Sequence, residues 1–137
     1  MAHHRTQHRV RFHELDPYDH VNHAMYVTYF EIGRVDALAA VELGLTALKE
    51  VGYQLVVTRL DVRFRKAATA GDDLVISTGV SDFGRASTVW SQEIHRGGDR
   101  IASGTVTAAI TDTDGRPTRP PTWIIERLEA LRVDRSS

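Results

Sequence analysis

The stretch FHELDPYDHVNHAMYVTYFEIGR, Phe12 to Arg34, joins a strand end to an acidic turn and the turn to a long apolar helix. Pro17 fixes its own φ and steers Asp16 away from the helical region, so the Asp16 carboxylate sits where the chain changes direction. Asn22 or His23 then starts the helix, and an asparagine cap leaves the next few backbone amides pointing back toward the turn. A carboxylate facing spare helix N-terminal amides has the outline of a base or nucleophile beside an anion-stabilising site.

Outward from this centre, His8 to His13 alternates, with Val10 and Phe12 on one face and Arg9, Arg11 and His13 on the other, which predicts a half-buried strand. The terminus before it, with His3, His4 and His8, reads as a mobile polar tail or part of a cloning tag. From Ala24 to Glu42 the only strongly polar side chains are Thr28, Glu31, Arg34, Asp36 and Glu42. That predicts a central helix with most of its circumference against protein. Gly33 in its interior costs about 1 kcal/mol against alanine and points to a close backbone crossing. Gly44 fits a C′ stop.

Beyond the helix the hydrophobic period falls to two. Gln54 to Lys66 reads as a long strand, Val56, Leu60, Val62 and Phe64 on one side and Arg59, Asp61, Arg63 and Arg65 on the other. Three further strands, Leu74 to Ser81, Ala86 to His95 and Arg100 to Thr111, are joined by glycine-bearing links at 82–85 and 96–99 and predict an antiparallel meander. An amphipathic segment from Trp123 to Leu131 can start at Thr122 as a terminal helix or helical turn. One strand, one helix and four long strands make an α+β layout in which a single antiparallel β-sheet curls around a long central helix, in a single domain over 1–137. One helix cannot cover both faces of that sheet, so a second copy of the chain is the expected cover.

Composition removes several classes of function. A net charge of −1 gives no basic field suited to nucleic acid. The absence of cysteine excludes disulfides, thiolate metal sites and cysteine nucleophiles, and is compatible with a reducing cytoplasm. No run approaches the roughly 18 apolar residues of a membrane span, so a soluble, untargeted chain is expected.

Asp16-Pro17, His20-Val21-Asn22-His23, Tyr26, Phe30, Glu31 and Arg34 together resemble the opening motif of the hotdog-fold thioesterases. The match is to the 4-hydroxybenzoyl-CoA thioesterase and acyl-CoA thioesterase family. The resemblance implies a hotdog fold and places the catalytic carboxylate of an acidic-x-Asp pattern on Asp16, with the first acidic residue at Glu14. It also implies that the His23 backbone N–H, in the segment containing Asn22, polarises the thioester carbonyl. Two positions depart from the family: Asp19 replaces the usual glycine and Glu14 the usual aspartate. Aspartate tolerates the left-handed conformation better than most residues.

The expected substrate is an acyl or aryl thioester of coenzyme A, with no cofactor beyond the coenzyme A of the substrate itself. The competing substrate is an acyl or polyketide chain on a carrier protein, and a non-catalytic acyl-thioester binding module is the rival outside enzymes. A hotdog dehydratase lacks support, as no Asp-His dyad with its hydratase motif is evident. Asp16 alternatively forms only an Asx-turn, the usual work of aspartate before a helix. Glu31 is a secondary acid near a subunit boundary or simply pairs with Arg34 across one helical turn. Arg59, Arg63, Arg65, Lys66 and Arg85 are candidates for the coenzyme A phosphates, against a plain solvated sheet surface. His20 and His23 with Glu14, Asp16 and Asp19 could be weighed as metal ligands, but the spacing matches no fixed ligand pattern and the family's chemistry needs no metal. A homodimer or homotetramer with active sites at subunit boundaries completes the expectation.

Overall fold

The computed structural model describes residues 3–134, apart from the side chain of Leu45; residues 1, 2 and 135–137 of the expected domain lie outside the described residues. Strand β1 (His4–Arg9) runs into a 3-10 turn (Phe12–Glu14) and then helix α1 (His23–Ala40). A short helix α2 (Leu45–Glu50) leads to strand β2 (Gln54–Phe64), and strands β3 (Asp73–Gly84), β4 (Ser87–Arg96) and β5 (Asp99–Thr111) precede helix α3 (Thr122–Glu129). All five strands form one sheet in the order β1-β3-β4-β5-β2, with every neighbouring pair antiparallel. The β3–β4–β5 meander forms as expected, but its first turn is corrected: Asp82–Gly84 pair with β4 as part of β3 and the chain reverses at Arg85 and Ala86, while β2 crosses over to the far edge beside β5.

The N-terminal expectation is corrected. The strand starts at His4 and ends at Arg9, and Phe12, assigned to its inner face, is 82% exposed in the 3-10 turn. Two of the three terminal histidines are tied down: His4 Nε2 lies 2.8 Å from Asp36 Oδ2, and His8 Nε2 lies 3.1 Å from Glu14 Oε1. β1 turns polar side chains toward α1 and gives them polar partners there, Thr6 Oγ1 also donating to Asp36 at 2.7 Å.

Helix α1 is buried along Tyr26, Tyr29, Phe30, Gly33, Ala37 and Leu38, a stripe at helical spacing. His23, Ala24, Thr28, Glu31, Asp36, Ala39 and Ala40 are exposed, so in the single chain the helix meets protein on one side and not around its circumference. A Cβ at Gly33 would lie 2.6 Å from Thr78 Oγ1 and 2.7 Å from Ile76 Cγ2. The close approach there is to side chains of β3, where the sequence suggested backbone. The helix ends at Ala40 with Val41 as its C-cap, Glu42 just beyond lies in the left-handed region with φ 62°, and Gly44 caps the start of α2 instead of ending α1.

A register shift between Val57 and Arg59 corrects the facing of β2. Val62 pairs with Gly104 and Leu60 with Val106, whereas Val56 pairs with Ala109, opposite the same face as Arg59, Asp61 and Arg63. Val57 takes the place beside Leu60 that the alternation assigned to Val56.

The core lies between α1 and the sheet in two clusters. Near the acidic turn, Val10, Val21, Tyr26, Tyr29 and Phe30 pack with Leu74, Ile76, Ile94, Ile101 and Ala102. At the other end, Leu38, Leu43, Val80, Trp90, Val106 and Ile110 pack with Ile124, Leu128 and Leu131 from α3 and the residues after it. Between them Gln92 Nε2 donates to Phe30 O at 2.8 Å and to Thr78 Oγ1 at 3.0 Å, and Gln92 Oε1 accepts from Arg34 Nη1 at 3.0 Å. Among the described residues no helix is long and apolar enough to cross a membrane.

Candidate active site

The acidic stretch folds as a small hairpin whose far leg runs into α1. Leu15 and Val21 bridge antiparallel, Asp16 N–H donates to His20 O at 2.6 Å, and Asn22 N–H donates to Glu14 O at 2.9 Å. Asp19 sits at the tip with φ 64°, a left-handed conformation that aspartate accepts more readily than most residues. Val21 N–H donates to Ala68 O at 2.8 Å, and Ala68 N–H donates to the buried Tyr26 hydroxyl at 3.2 Å. The β2–β3 connection is thereby pinned against both hairpin and helix.

Asp16 makes the Asx-turn: Oδ1 accepts the Tyr18 N–H at 2.8 Å and the His20 N–H at 3.2 Å. Among the described residues Oδ2 has no hydrogen-bond partner. The turn role therefore occupies one carboxylate oxygen and leaves the other available for chemistry. Asn22 is the N-cap, its Oδ1 accepting the Ala24 N–H at 2.9 Å, while its carbonyl accepts the Met25 N–H at 2.8 Å. The first helical amide, that of His23, is left without an acceptor among the described residues. Hairpin and cap together thus present a half-used carboxylate and a free N–H at one helix start, where the helix dipole favours negative charge.

The remaining candidates divide by position. Glu31 is exposed and lies eight residues beyond His23, about 12 Å along the helix axis. It lines a cavity of about 250 Å³ with Arg34, Val35, Leu38, Leu55, Val57 and Trp90. The i,i+3 pairing is not made as an ion pair, because Arg34 turns inward to Gln92. Burial lowers the Arg34 pKa, and the nearby Glu31 charge acts the other way.

Gly104 backs onto Phe30 of α1, so its neighbours Ser103 and Thr105 look away from the helix, as do their partners Arg63 and Asp61. On that outer face Arg63 and Arg65 line a polar cavity of about 340 Å³ with Arg100, Ser91, Ser103 and Thr105. Arg59 pairs with Thr107 on the same face. Lys66 is bound to Asp99 at 2.9 Å. Arg85 sits in the β3–β4 turn, at the opposite end of the sheet, on a separate groove with Phe83 and Arg119. A single protomer cannot bring it to the same phosphate as Arg63. Arg100, which also bonds Glu93 at 2.7 Å, is an addition that the sequence signalled only as a cation beside a turn.

Residues 10–128 match the sequence profile of the thioesterase-like superfamily. The chain belongs to this superfamily. Its fold is the hotdog fold, an α+β arrangement of a five-stranded antiparallel sheet and a long helix. Among relatives, the chain is 26% identical to the chloroplast acyl-acyl carrier protein thioesterase ATL2 of Arabidopsis thaliana, over 88% of this chain and 65% of that protein. The chain therefore spans a little under two thirds of that relative's length. It is 30% identical to the long-chain acyl-CoA thioesterase FadM of Escherichia coli, over 65% of this chain and 67% of that protein. A crystal structure of a thioesterase from Thermus thermophilus, complexed with coenzyme A and zinc, is 29% identical with a TM-score of 0.81, covering 93% of this chain and 92% of that one.

Proposed function

We propose that this superfamily member hydrolyses an acyl-CoA thioester to the free acid and coenzyme A. The observation that carries the reading is the Asp16 carboxylate, on a hairpin leading straight into the His23 N–H, with neither Oδ2 nor that N–H partnered among the described residues. Hydrolysis adds the oxygen of water to the carbonyl carbon and breaks the C–S bond, the thiolate leaving and taking up a proton. Asp16 serves as the base that takes a proton from water, or attacks directly to give an anhydride that water then opens. The carbonyl oxygen gains negative charge in either route, and a backbone donor aimed at it contributes roughly 3–4 kcal/mol. Asn22 contributes by capping the helix so that the Ala24 amide is spent and the His23 amide is free. The reaction needs no metal and no cofactor, coenzyme A entering as part of the substrate.

The outer-face guanidinium groups of Arg63, Arg65 and Arg100 are suited to phosphate oxygens, and their distance from Arg85 assigns Arg85 to a different copy's site if it contacts the same ligand. That division supports a homo-oligomer in which copies share ligand-binding residues. A carrier-protein substrate is the second reading, favoured by the likeness to the Arabidopsis acyl-acyl carrier protein thioesterase. The two are separated by measuring thiol release from one acyl chain presented on coenzyme A and on a carrier protein, then over a panel of acyl and aryl groups. Faster release from coenzyme A supports the proposal. Tight acyl-CoA binding without turnover would replace it with a binding module.

A further inference from the structure

We propose that Glu14 is a positioning residue, a buried hub that fixes the Asp16 hairpin against helix α1. The inference rests on the reading of Asp16 as the reacting carboxylate. Glu14 is only 5% exposed, and its Oε1 accepts three hydrogen bonds from three parts of the chain. Arg11 N–H donates at 2.8 Å from the 3-10 turn, the Tyr29 hydroxyl at 3.0 Å from α1, and His8 Nε2 at 3.1 Å from β1. The His8 ring also packs on the Tyr29 ring, their centroids 4.7 Å apart.

The main chain of the same residue completes the argument. Glu14 O accepts the Asn22 N–H at 2.9 Å, which sets the register of the two hairpin legs two residues before Asp16 and one before His23. Tyr29 follows Asn22 by seven residues, two helical turns, and so stands on the same face of α1. The backbone of Glu14 therefore ties the legs together while its side chain ties the leg bearing Asp16 to the body of the helix. Alongside the Asp16–His20 pair and the Leu15–Val21 bridge that close the hairpin, this residue is what anchors the Asp16 leg to the helix body.

Charge agrees with the geometry. Burial pushes the Glu14 carboxyl up, but hydrogen bonds from the Arg11 N–H, His8 and Tyr29 outweigh it and hold it below the usual carboxylate range. Burial, and then the hydrogen bond to Glu14, push the Tyr29 phenol far above its usual value, so Tyr29 remains the donor. A shorter or apolar residue would leave the buried Tyr29 hydroxyl without its acceptor, away from water, and would free the Arg11 amide.

The test compares wild type with Glu14→Gln, Glu14→Asp and Tyr29→Phe, each shown folded by its thermal transition, reading both thiol release from acyl-CoA and hydrogen–deuterium exchange across residues 15–22. Glu14→Gln should lower kcat by about 10²-fold, the cost of slight misplacement, while KM stays within about twofold. It should also speed exchange across 15–22 while the β3–β5 meander keeps its wild-type protection. Glu14→Asp should recover part of the kcat, and Tyr29→Phe should move both readouts in the same direction by less. A folded Glu14→Gln with wild-type kcat and wild-type exchange overturns the proposal. So does a kcat loss that merely follows the folded fraction. If Glu14→Gln does not fold, Tyr29→Phe decides, and wild-type behaviour in both readouts overturns it. Should wild type hydrolyse no thioester, the proposed function fails separately, and the exchange across 15–22 still decides the positioning role: faster exchange confined to it sustains the role and unchanged exchange removes it.

Discussion

Asp16 and His20 bond each other twice: the Asp16 N–H donates to His20 O at 2.6 Å, and the His20 N–H donates to Asp16 Oδ1 at 3.2 Å. The reciprocal pair closes the hairpin with one carboxylate oxygen. A structural turn and a reacting carboxylate, which looked like alternatives, are compatible in one side chain because they use different oxygens.

Asp16→Asn separates those two roles. The amide oxygen can still accept the Tyr18 and His20 N–H groups, so the thermal transition should stay close to wild type. Loss of the charge should lower turnover by roughly 10²–10⁴. Acyl-CoA affinity, measured on the same preparation, should change little. Wild-type turnover in the folded variant would sink the assignment of Asp16 to the chemistry.

The edge strand β2 carries Val57, Leu60 and Phe64 exposed by 45%, 40% and 53% on its inward-turned side. An edge this long and apolar is expected to be covered by a second copy. Wild type should sediment at no less than twice the 15.3 kDa of the chain at micromolar concentration. Leu60→Glu should shift the mass toward monomer and reduce turnover with it. A wild-type monomer that is fully active would count against shared sites.

Gly33 admits no side chain without displacing Thr78 and Ile76. Gly33→Ala gains helix propensity but should still lose about 1–3 kcal/mol of stability through overpacking. Urea unfolding of the variant measures it, and equal or greater stability would show that β3 yields easily there.

Acid should weaken the fold partly through Asp72. Burial pushes its carboxyl up, while the Thr69 N–H and the Arg96 guanidinium, 2.8 Å away, push it down by more, leaving it below the usual range. A carboxyl depressed in the folded state adds stability above its unfolded value, and that stability disappears as pH falls through the folded value. The urea midpoint should therefore decline as pH drops below about 5, and less steeply in Asp72→Asn. Identical slopes would remove this pair as a cause.

The features legible in the sequence are those encoded within a few residues. The Asn22 cap, the tolerance of Asp19 for a left-handed turn and the glycine turn between β4 and β5 follow from local residue chemistry, whereas Gly84 stays in β3 and the β3–β4 turn falls at Arg85 and Ala86. The true extent of β1 is hidden from the hydrophobic pattern because its inward side chains, His4, Thr6 and His8, are polar and are satisfied by Asp36 and Glu14 from other elements. The six-residue α2 is too short for a clear period, and the bulge at Thr58 reverses an alternation that otherwise reads smoothly. At the candidate site, Asp16 and His23 were marked by a local motif. The Glu14 hub depends on Tyr29, fifteen residues away in sequence, and nothing in the spacing alone announces it.

The hydrogen-bonded layer of Thr78, Gln92 and Arg34 behaves as a partition wall between the two apolar compartments. Because the two compartments are separate clusters, substitutions in the compartment of Trp90, Leu38 and Ile124 share few partners with Tyr29 and the hairpin and should act nearly independently of changes there. The arrangement gives the chain a modularity useful to divergence: one compartment can be retailored in volume while the other keeps the hairpin and helix start in place.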